Sequence, residues 1–170
     1  MEKAGRVKKE KLTKSRDRVK KHGEVYTPMW MCVKMCDALP PDAWTDIGAK
    51  FLEPCCGNGN FLEEILRRKL ALAKEPKDIL LALRSICAIV ILPDNVEESR
   101  DRMRRIAVEK YSEFITAEYS TTHIPVTVDV DLLRQIHEIT EQNVICGDAL
   151  KILKYLRDHD WKDLKGKDWG

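Results

Sequence analysis

Long hydrophobic runs are missing from this chain of 170 residues. No stretch of about eighteen apolar residues, the length that spans a bilayer as a helix, occurs in it. The basic N-terminus is also not followed by the apolar segment that a signal peptide requires. We therefore expect no transmembrane helix, no signal peptide and a cytoplasmic location. The length suits one domain, or part of one, with a real core.

Closely spaced cysteine pairs are missing too. None of the six cysteines forms a Cys-x-x-Cys pair, and the lone His123 has no metal-ligating residue at a suitable spacing. We therefore expect no metal site, and we interpret the cysteines as free thiols in a reducing cytoplasm, several of them buried. The cysteines are Cys32, Cys36, Cys55, Cys56, Cys87 and Cys146.

The charge is unevenly distributed, although the net charge of the whole chain is only +2. Residues 1–22 contain ten lysines and arginines against three acids, so this basic arm carries +7 and the rest of the chain −5. A basic arm on an acidic body favours contact with phosphate groups. The alternative is a solvated, partly helical extension without a partner. The arm contains no aromatic residue, so we do not expect it to stack on bases.

The most informative stretch is residues 51–62, FLEPCCGNGNFL. A short apolar run ends in Glu53, passes through a turn at Gly57 and Gly59, and continues into an amphipathic helix. Strand, glycine turn and helix form the first unit of a nucleotide-binding α/β fold, in which glycines and the helix start approach the ligand. This is not the dinucleotide pattern Gly-x-Gly-x-x-Gly, because Leu62 stands at the third glycine. The alternative is an ordinary tight turn.

Three segments resemble motifs of adenine-specific DNA methyltransferases, which bind S-adenosylmethionine. Residues 52–62 resemble motif I of that family. Residues 23–28, GEVYTP, are similar to its Gly-x-x-Phe-Thr-Pro segment, and residues 143–150, NVICGDAL, resemble its motif III. The resemblance implies an α/β chain with a partial Rossmann-like methyltransferase fold: the first three parallel strands with flanking helices, in residues 23–170, after the helical basic arm.

In that family, the aromatic-Thr-Pro segment contacts the methionine end of the cofactor. The acid after the first strand pairs with the cofactor's amino group, and the Asp of motif III accepts from the adenine amino group. The alternatives are a plain helix start at Pro28, a strand-end cap for Glu53 and a helix cap for Asp148. The resemblance implies these cofactor-binding residues: Tyr26, Thr27, Pro28, Glu53, Pro54, Cys55, Gly57, Asn58, Gly59, Asn60, Phe61, Ile91, Asp148 and Ala149.

One position departs from the family. An acid in the second strand of the family binds the two ribose hydroxyls, but Val90 stands there in this chain. A valine cannot accept those hydrogen bonds, and losing a charge-assisted pair costs about 1.5–3 kcal/mol. Asp94 compensates only if the following loop bends back. Ile91 still fits the apolar residue that lies against the adenine in the family.

The hydrophobic pattern predicts the elements around these motifs. Thr27 is expected to cap a helix that begins at Pro28, and Asp94 to cap another with Glu97 in a capping box. The first of these helices is expected to bury Met31, Met35, Ala38 and Leu39. Strands are expected at about 50–54, 85–92 and just after 143, helices at 61–73, 77–84, 95–117 and 130–141, and a polar connection at 118–130.

The family's catalytic tetrapeptide, Asn/Asp-Pro-Pro-Tyr/Phe, is absent from these residues. It binds the flipped adenine in the family, and the only Pro-Pro pair here is Pro40-Pro41, followed by Asp42. We therefore expect no catalytic residue in the chain, which would be a fragment of a longer product or one half of a split enzyme. The first strand would then be an exposed edge, and the chain alone would be marginally stable.

The resulting hypothesis is the cofactor-binding segment of an adenine-N6 DNA methyltransferase of the restriction–modification or phage type. The implied partners are DNA and a second chain that completes the enzyme, in the cytoplasm of a bacterium or a phage-infected host cell. One alternative is a non-catalytic remnant or nucleic-acid-binding module. Another is an RNA or protein methyltransferase completed by another chain.

Overall fold

The computed structural model describes residues 10–169, and its centre is a parallel sheet of three strands in the order β1-β2-β3. The strands are β1 (Phe51–Glu53), β2 (Ile86–Val90) and β3 (Val144–Cys146). Phe51 pairs with Ile86, and Ala88 pairs with Val144. The protein is therefore a mixed α/β structure, as expected, and all three strands end at the same edge of the sheet.

Helices connect the strands and cover them. They begin where the sequence offers a good start: Pro76 and Pro93 each occupy the first turn of a helix, and the Asp129 side chain caps another. The α-helices between residues 10 and 169 are α1 (Arg16–His22), α2 (Met29–Asp37), α3 (Asn60–Leu70), α4 (Pro76–Arg84), α5 (Pro93–Thr122), α6 (Val130–Asn143) and α7 (Ala149–Tyr155), with 3-10 turns at Pro41–Trp44 and Trp161–Leu164.

The two faces of the sheet have separate cores. Alternate residues of β2 point to opposite faces, so that Ala88 and Val90 join the main core while Ile89 joins a smaller one. The main core contains apolar residues of α3, α4, α5 and α6. The smaller core contains α7 and the segment around Trp161 and Trp169. Helical structure thus lies on both sides of the sheet.

The first strand is the edge of the described sheet, as predicted. β1 pairs with β2 alone among the described strands. Leu52, which lies opposite Cys87 on the face of the smaller core, remains 45% exposed. The edge and the apolar face beside it are therefore open in the described part of the chain.

The start of α2 differs from the prediction. Its N-cap is Pro28 and not Thr27, and the N-cap residue makes no side-chain capping hydrogen bond. The buried face contains Cys32 and Cys36 instead of the predicted set. Met35 and Leu39 are exposed, because α3 packs on the cysteine side of an almost uniformly apolar helix.

The start of α5 also differs. Leu92 is the N-cap, Pro93 is the first helical residue, and Asp94 lies inside the first turn. The predicted capping box is therefore wrong: Asp94 pairs with Lys14 and Arg18. The helix also continues to Thr122, and the hydroxyls of its last turns bond to carbonyls four residues back. The polar connection begins only at His123.

The part of the basic arm between residues 10 and 22 is described, whereas residues 1–9 and Gly170 lie outside the described residues. Its helical character is confirmed for α1, which begins at the Ser15 cap and ends at Gly23 in a left-handed conformation. No helix between residues 10 and 169 is both long enough and apolar enough to span a membrane.

Candidate functional site

The ends of the three strands bring the predicted motifs to one edge of the sheet. Cys56, in the glycine loop after β1, donates its backbone N–H to the carbonyl of Ile89 at 3.1 Å. Gly147, which follows β3, donates to the carbonyl of Val90 at 3.0 Å. The three strand ends are therefore neighbours, as they are where α/β sheets bind ligands.

The glycine loop needs both of its glycines. Gly57 and Gly59 have φ angles of 53° and 86°, in the left-handed region that glycine adopts without strain. A Cβ on Gly59 would lie 2.9 Å from the Ser99 hydroxyl, and one on Gly57 would lie 3.3 Å from the Tyr26 ring. The absence of side chains here allows close approach to α5 and to Tyr26, a role in packing that the motif alone does not reveal.

A small cavity of about 90 Å³ opens beside this loop. Ligand sites for drug-sized molecules measure roughly 300–1,000 Å³, so this cavity has room for only part of such a ligand. Val25 and Cys56, which were not predicted, contribute to its wall. Eight predicted site residues line it: Tyr26, Thr27, Glu53, Cys55, Gly57, Asn58, Asn60 and Phe61.

Glu53 is the acid of this cavity. Its carboxylate accepts one hydrogen bond, from the backbone N–H of Cys55 at 3.0 Å. It forms no ion pair with any residue of the described range 10–169. Burial raises the pKa of Glu53 above its ordinary value, and the Cys55 bond opposes this in part. A half-buried carboxylate without a cation in a cavity is the arrangement that a cationic ligand group would complete.

Tyr26 forms a wall of the cavity and is anchored by its hydroxyl. The hydroxyl donates to Asn95 Oδ1 at 3.0 Å, and Asn95 Nδ2 donates to Glu24 at 2.6 Å. Arg18 completes the chain with two bonds of 2.6 Å to the Glu24 carboxylate. Burial, with Glu24 nearby, raises the pKa of Tyr26 to about 12. The Tyr26 ring is therefore fixed against the loop, with its hydroxyl turned to α5.

Asn60 joins motif I to the Thr-Pro segment. Its side-chain amide donates to the Thr27 carbonyl at 2.7 Å and to Glu10 Oε1 at 3.0 Å. The Glu10 carboxylate also accepts the first backbone N–H of α2, from Met29, at 3.1 and 3.2 Å. A carboxylate thus lies at the start of α2, where the free N–H groups of a helix can hold one. Sequence reasoning did not single out Glu10, since nothing local marks one acid within a charge-dense arm.

The remaining predicted residues do not line this cavity. Asp148 caps α7 by accepting from the N–H groups of Leu150 and Lys151, which is the alternative interpretation of that residue. Ala149 is the first residue of α7, and Ile91 is 59% exposed after the end of β2. Pro28 caps α2, and Pro54 and Gly59 belong to the β1–α3 connection.

The position that corresponds to the family's ribose-binding acid is apolar, as the sequence indicates. Val90 is 4% exposed and belongs to the main core. Asp94, the possible substitute, is bound by Lys14 at 2.8 Å and Arg18 at 2.6 Å. Hydrogen bonds from Arg18 and Lys14 hold the pKa of Asp94 well below its ordinary range. Its carboxylate is therefore occupied by the arm in this structure.

Compared with known proteins, the chain matches no protein-family model, no curated protein and no solved structure. The candidate site therefore depends on its own geometry and on the motif resemblance.

The thiols are distributed between the core and the surface. All six cysteines are free; Cys32, Cys36 and Cys56 are buried, while Cys55 and Cys146 are exposed. Burial raises the pKa of Cys56 to about 12, which disfavours its reactive thiolate form. The prediction of buried free thiols is thus confirmed for three residues. Between residues 10 and 169, no group of three or more His, Cys, Asp or Glu residues is arranged to hold a metal ion.

Proposed function

We propose that this chain forms the S-adenosylmethionine-binding part of an adenine-N6 DNA methyltransferase of the restriction–modification or phage type. The observation that supports this best is Glu53, a half-buried carboxylate without a cation beside a glycine loop. The cofactor carries an ammonium group that such a carboxylate would bind. The strand order β1-β2-β3 is also the order expected for the first part of a Rossmann-like methyltransferase sheet.

Residues in the cavity, together with Met29 at the start of α2, fit the methionine end of this cofactor. Glu53 would hold the ammonium group, and the Met29 N–H with the Asn60 amide would hold the carboxylate. Tyr26 and Phe61 would form apolar walls. When bound, the cofactor supplies an electrophilic methyl group. The role of this chain is to bind and orient it.

The groups that hold the target adenine would come from another segment or a second chain, because the catalytic tetrapeptide is absent here. The open edge of β1, beside the exposed Leu52, is where a further strand could pair. DNA would meet the basic arm. Arg16, Lys20 and Lys21 form no ion pair with any residue from 10 to 169, so their charges remain available to phosphates.

The buried Val90 favours a second candidate, a nucleic-acid-binding module that has lost the cofactor. A valine in the main core cannot accept from ribose hydroxyls, and Asp94 is occupied. Such a module would bind DNA with a steep dependence on salt and would not bind S-adenosylmethionine.

The deciding experiment is calorimetric titration of S-adenosylmethionine into the wild type, Glu53→Gln and Glu118→Gln. Glu118 is an exposed acid on α5, far along the chain from the site, and serves as the matched control. We expect micromolar binding by the wild type and the control. Loss of the Glu53 charge should weaken binding by about ten- to a hundredfold, the effect of about 1.5–3 kcal/mol.

Equal affinities of Glu53→Gln and the wild type would show that Glu53 does not bind the ammonium group of the cofactor. If the wild type melts cooperatively, and is therefore folded, but does not bind S-adenosylmethionine, the cofactor assignment is rejected. Salt-dependent DNA binding by that same chain would then establish the second candidate. Val90→Asp is a poor variant for this test, because it places a carboxylate in the main core.

A further inference from the structure

The segment from Glu10 to Arg18, here named the strap, connects the starts of three helices at the candidate site. Glu10 contacts the starts of α2 and α3 through Met29 and Asn60. Further along, the Leu12 carbonyl accepts the Tyr26 N–H at 2.8 Å. The strap therefore runs beside the residues that line the cavity, from the predicted methionine end toward α5.

The far end of the strap is held by charge. Lys14 pairs with Asp94 at 2.8 Å and with Glu98 at 2.7 Å. Arg18 bridges Asp94 and the almost buried side chain of Glu24, each at 2.6 Å. Because Asp94 is the only acid that the sequence offers as a substitute at the ribose end, the strap occupies both ends of the predicted cofactor path.

The chemistry at the near end matches that of a ligand. Glu10 supplies a carboxylate to one backbone N–H at a helix start and to one side-chain amide. The cofactor proposed above supplies a carboxylate too, and these two donors cannot serve both at once. The neighbouring cavity measures about 90 Å³, below the size of a pocket for a whole ligand of that class, and no residue of the strap is among those that line it.

We propose that the strap is an autoinhibitory lid, in which Glu10 occupies the site of the cofactor's carboxylate and must leave before the cofactor binds. This inference rests on the proposed function. The apparent affinity for the cofactor is the intrinsic affinity multiplied by the fraction of molecules in which the lid is open. Its contacts to Asp94 and Met29 are exposed ion pairs and hydrogen bonds, which are individually weak.

The test compares the wild type with Glu10→Gln and with Asp17→Asn. Asp17 is an exposed acid of α1 that forms no ion pair with residues 10–169, so its variant removes the same charge from the same arm. We expect Glu10→Gln to bind S-adenosylmethionine about tenfold more tightly than the wild type. Asp17→Asn should leave the affinity unchanged. Decarboxylated S-adenosylmethionine, which lacks the competing group, should gain clearly less from Glu10→Gln.

Hydrogen exchange without cofactor provides an independent measurement. The Tyr26 and Met29 amides, which donate to Leu12 and Glu10, should be protected in the wild type and less protected in Glu10→Gln. Equal exchange in both chains would overturn the lid, whatever the titration shows. Equal affinities in both chains, or equal gains for the two cofactors, would overturn the competition by Glu10. Hydrogen exchange could show a closed strap while none of the variants binds either cofactor. That result would reject both the proposed function and the competition by Glu10, and only the closed strap would remain.

Discussion

The side-chain amide of Asn60 donates a 2.7 Å hydrogen bond to the backbone carbonyl of Thr27. This bond joins two motifs that lie far apart in the sequence: the glycine loop with its helix, and the segment that leads into α2. Asn60 is buried, so the bond is shielded from water. The two motifs thus form one site for a structural reason, independently of any ligand.

Asn60→Ala should lower the free energy of unfolding by about 1–3 kcal/mol, because it removes a buried donor from the Thr27 carbonyl. The change can be measured by urea denaturation. Asn58→Ala is the matched control, since Asn58 is also buried in the same loop but donates no side-chain hydrogen bond to the described residues. Equal losses in the two variants would contradict a special role for the Asn60–Thr27 bond.

Gly59→Ala should be considerably more destabilising than Gly23→Ala. Both residues have positive φ, at 86° and 64°, so both variants carry the backbone cost of about 1–2 kcal/mol. Only at Gly59 would the new methyl group meet other atoms, at 2.9 Å from the hydroxyl and 3.1 Å from the Cα of Ser99. Overpacking adds about 1–3 kcal/mol.

The measurement is the urea midpoint of the two glycine variants beside the wild type. The space around Gly23 is open, with nothing within 4 Å of an added Cβ, so Gly23→Ala isolates the backbone cost. If both alanines had the same effect, the close approach of the glycine loop to α5 would not exist in solution.

Lys69 should make the stability rise with pH in the alkaline range. Its side chain is 1% exposed, and its ammonium donates to the carbonyls of Ile47 and Ala49 at 3.0 and 2.6 Å. Burial lowers the pKa of Lys69 from 10.5 to about 8. Between these values the unfolded chain binds the proton more tightly than the folded chain, so protonation favours unfolding.

The free energy of unfolding of the wild type should therefore rise by about 2 kcal/mol between pH 7.5 and 9.5, relative to Lys69→Met. Lys74→Met, at an exposed position, should follow the wild type. A constant difference between wild type and Lys69→Met over this pH range would show that the ammonium is not desolvated in the folded protein.

Cys55 should report on the occupied cavity. It is exposed and lines the cavity, while Cys146 is exposed outside it. Alkylation followed by mass spectrometry should label both thiols rapidly and leave the buried Cys32, Cys36 and Cys56 unlabelled in the native state. Saturating S-adenosylmethionine should slow the labelling of Cys55 several-fold, and more strongly than that of Cys146, which lies near Ile91 at the predicted adenine end. An unchanged rate at Cys55 would place the ligand elsewhere or nowhere.

Local patterns predicted several elements well. β2 and α4 lie where the sequence places them, because an apolar run and a proline start are local signals. The buried residues of α5, including Met103, Ile106 and Tyr111, lie at helical spacing. The buried face of α2 was predicted wrongly, since methionines and cysteines make the whole helix apolar and spacing alone cannot select a face.

Within the site, the sequence predicted which residues surround the glycine loop but not how their charges are paired. Glu53 was identified from its motif, and it lines the cavity. Glu10, Asn95 and Ser99 were not expected there, because each reaches the loop or its neighbours through the fold. Asp94 was assigned to the cap of its own helix, yet it binds Lys14 and Arg18 from the arm.

The sequence by itself determined the order of strand, glycine turn and helix, because propensity, glycine conformation and hydrophobic period act over a few neighbouring residues. Only the tertiary structure decided which carboxylate is balanced and which is not. Ion pairs form by proximity in space, and in a chain with 30 basic and 28 acidic residues the sequence allows many alternative pairings. The fold selects among them, and it leaves Glu53 without a cation among the described residues while Asp94 has two.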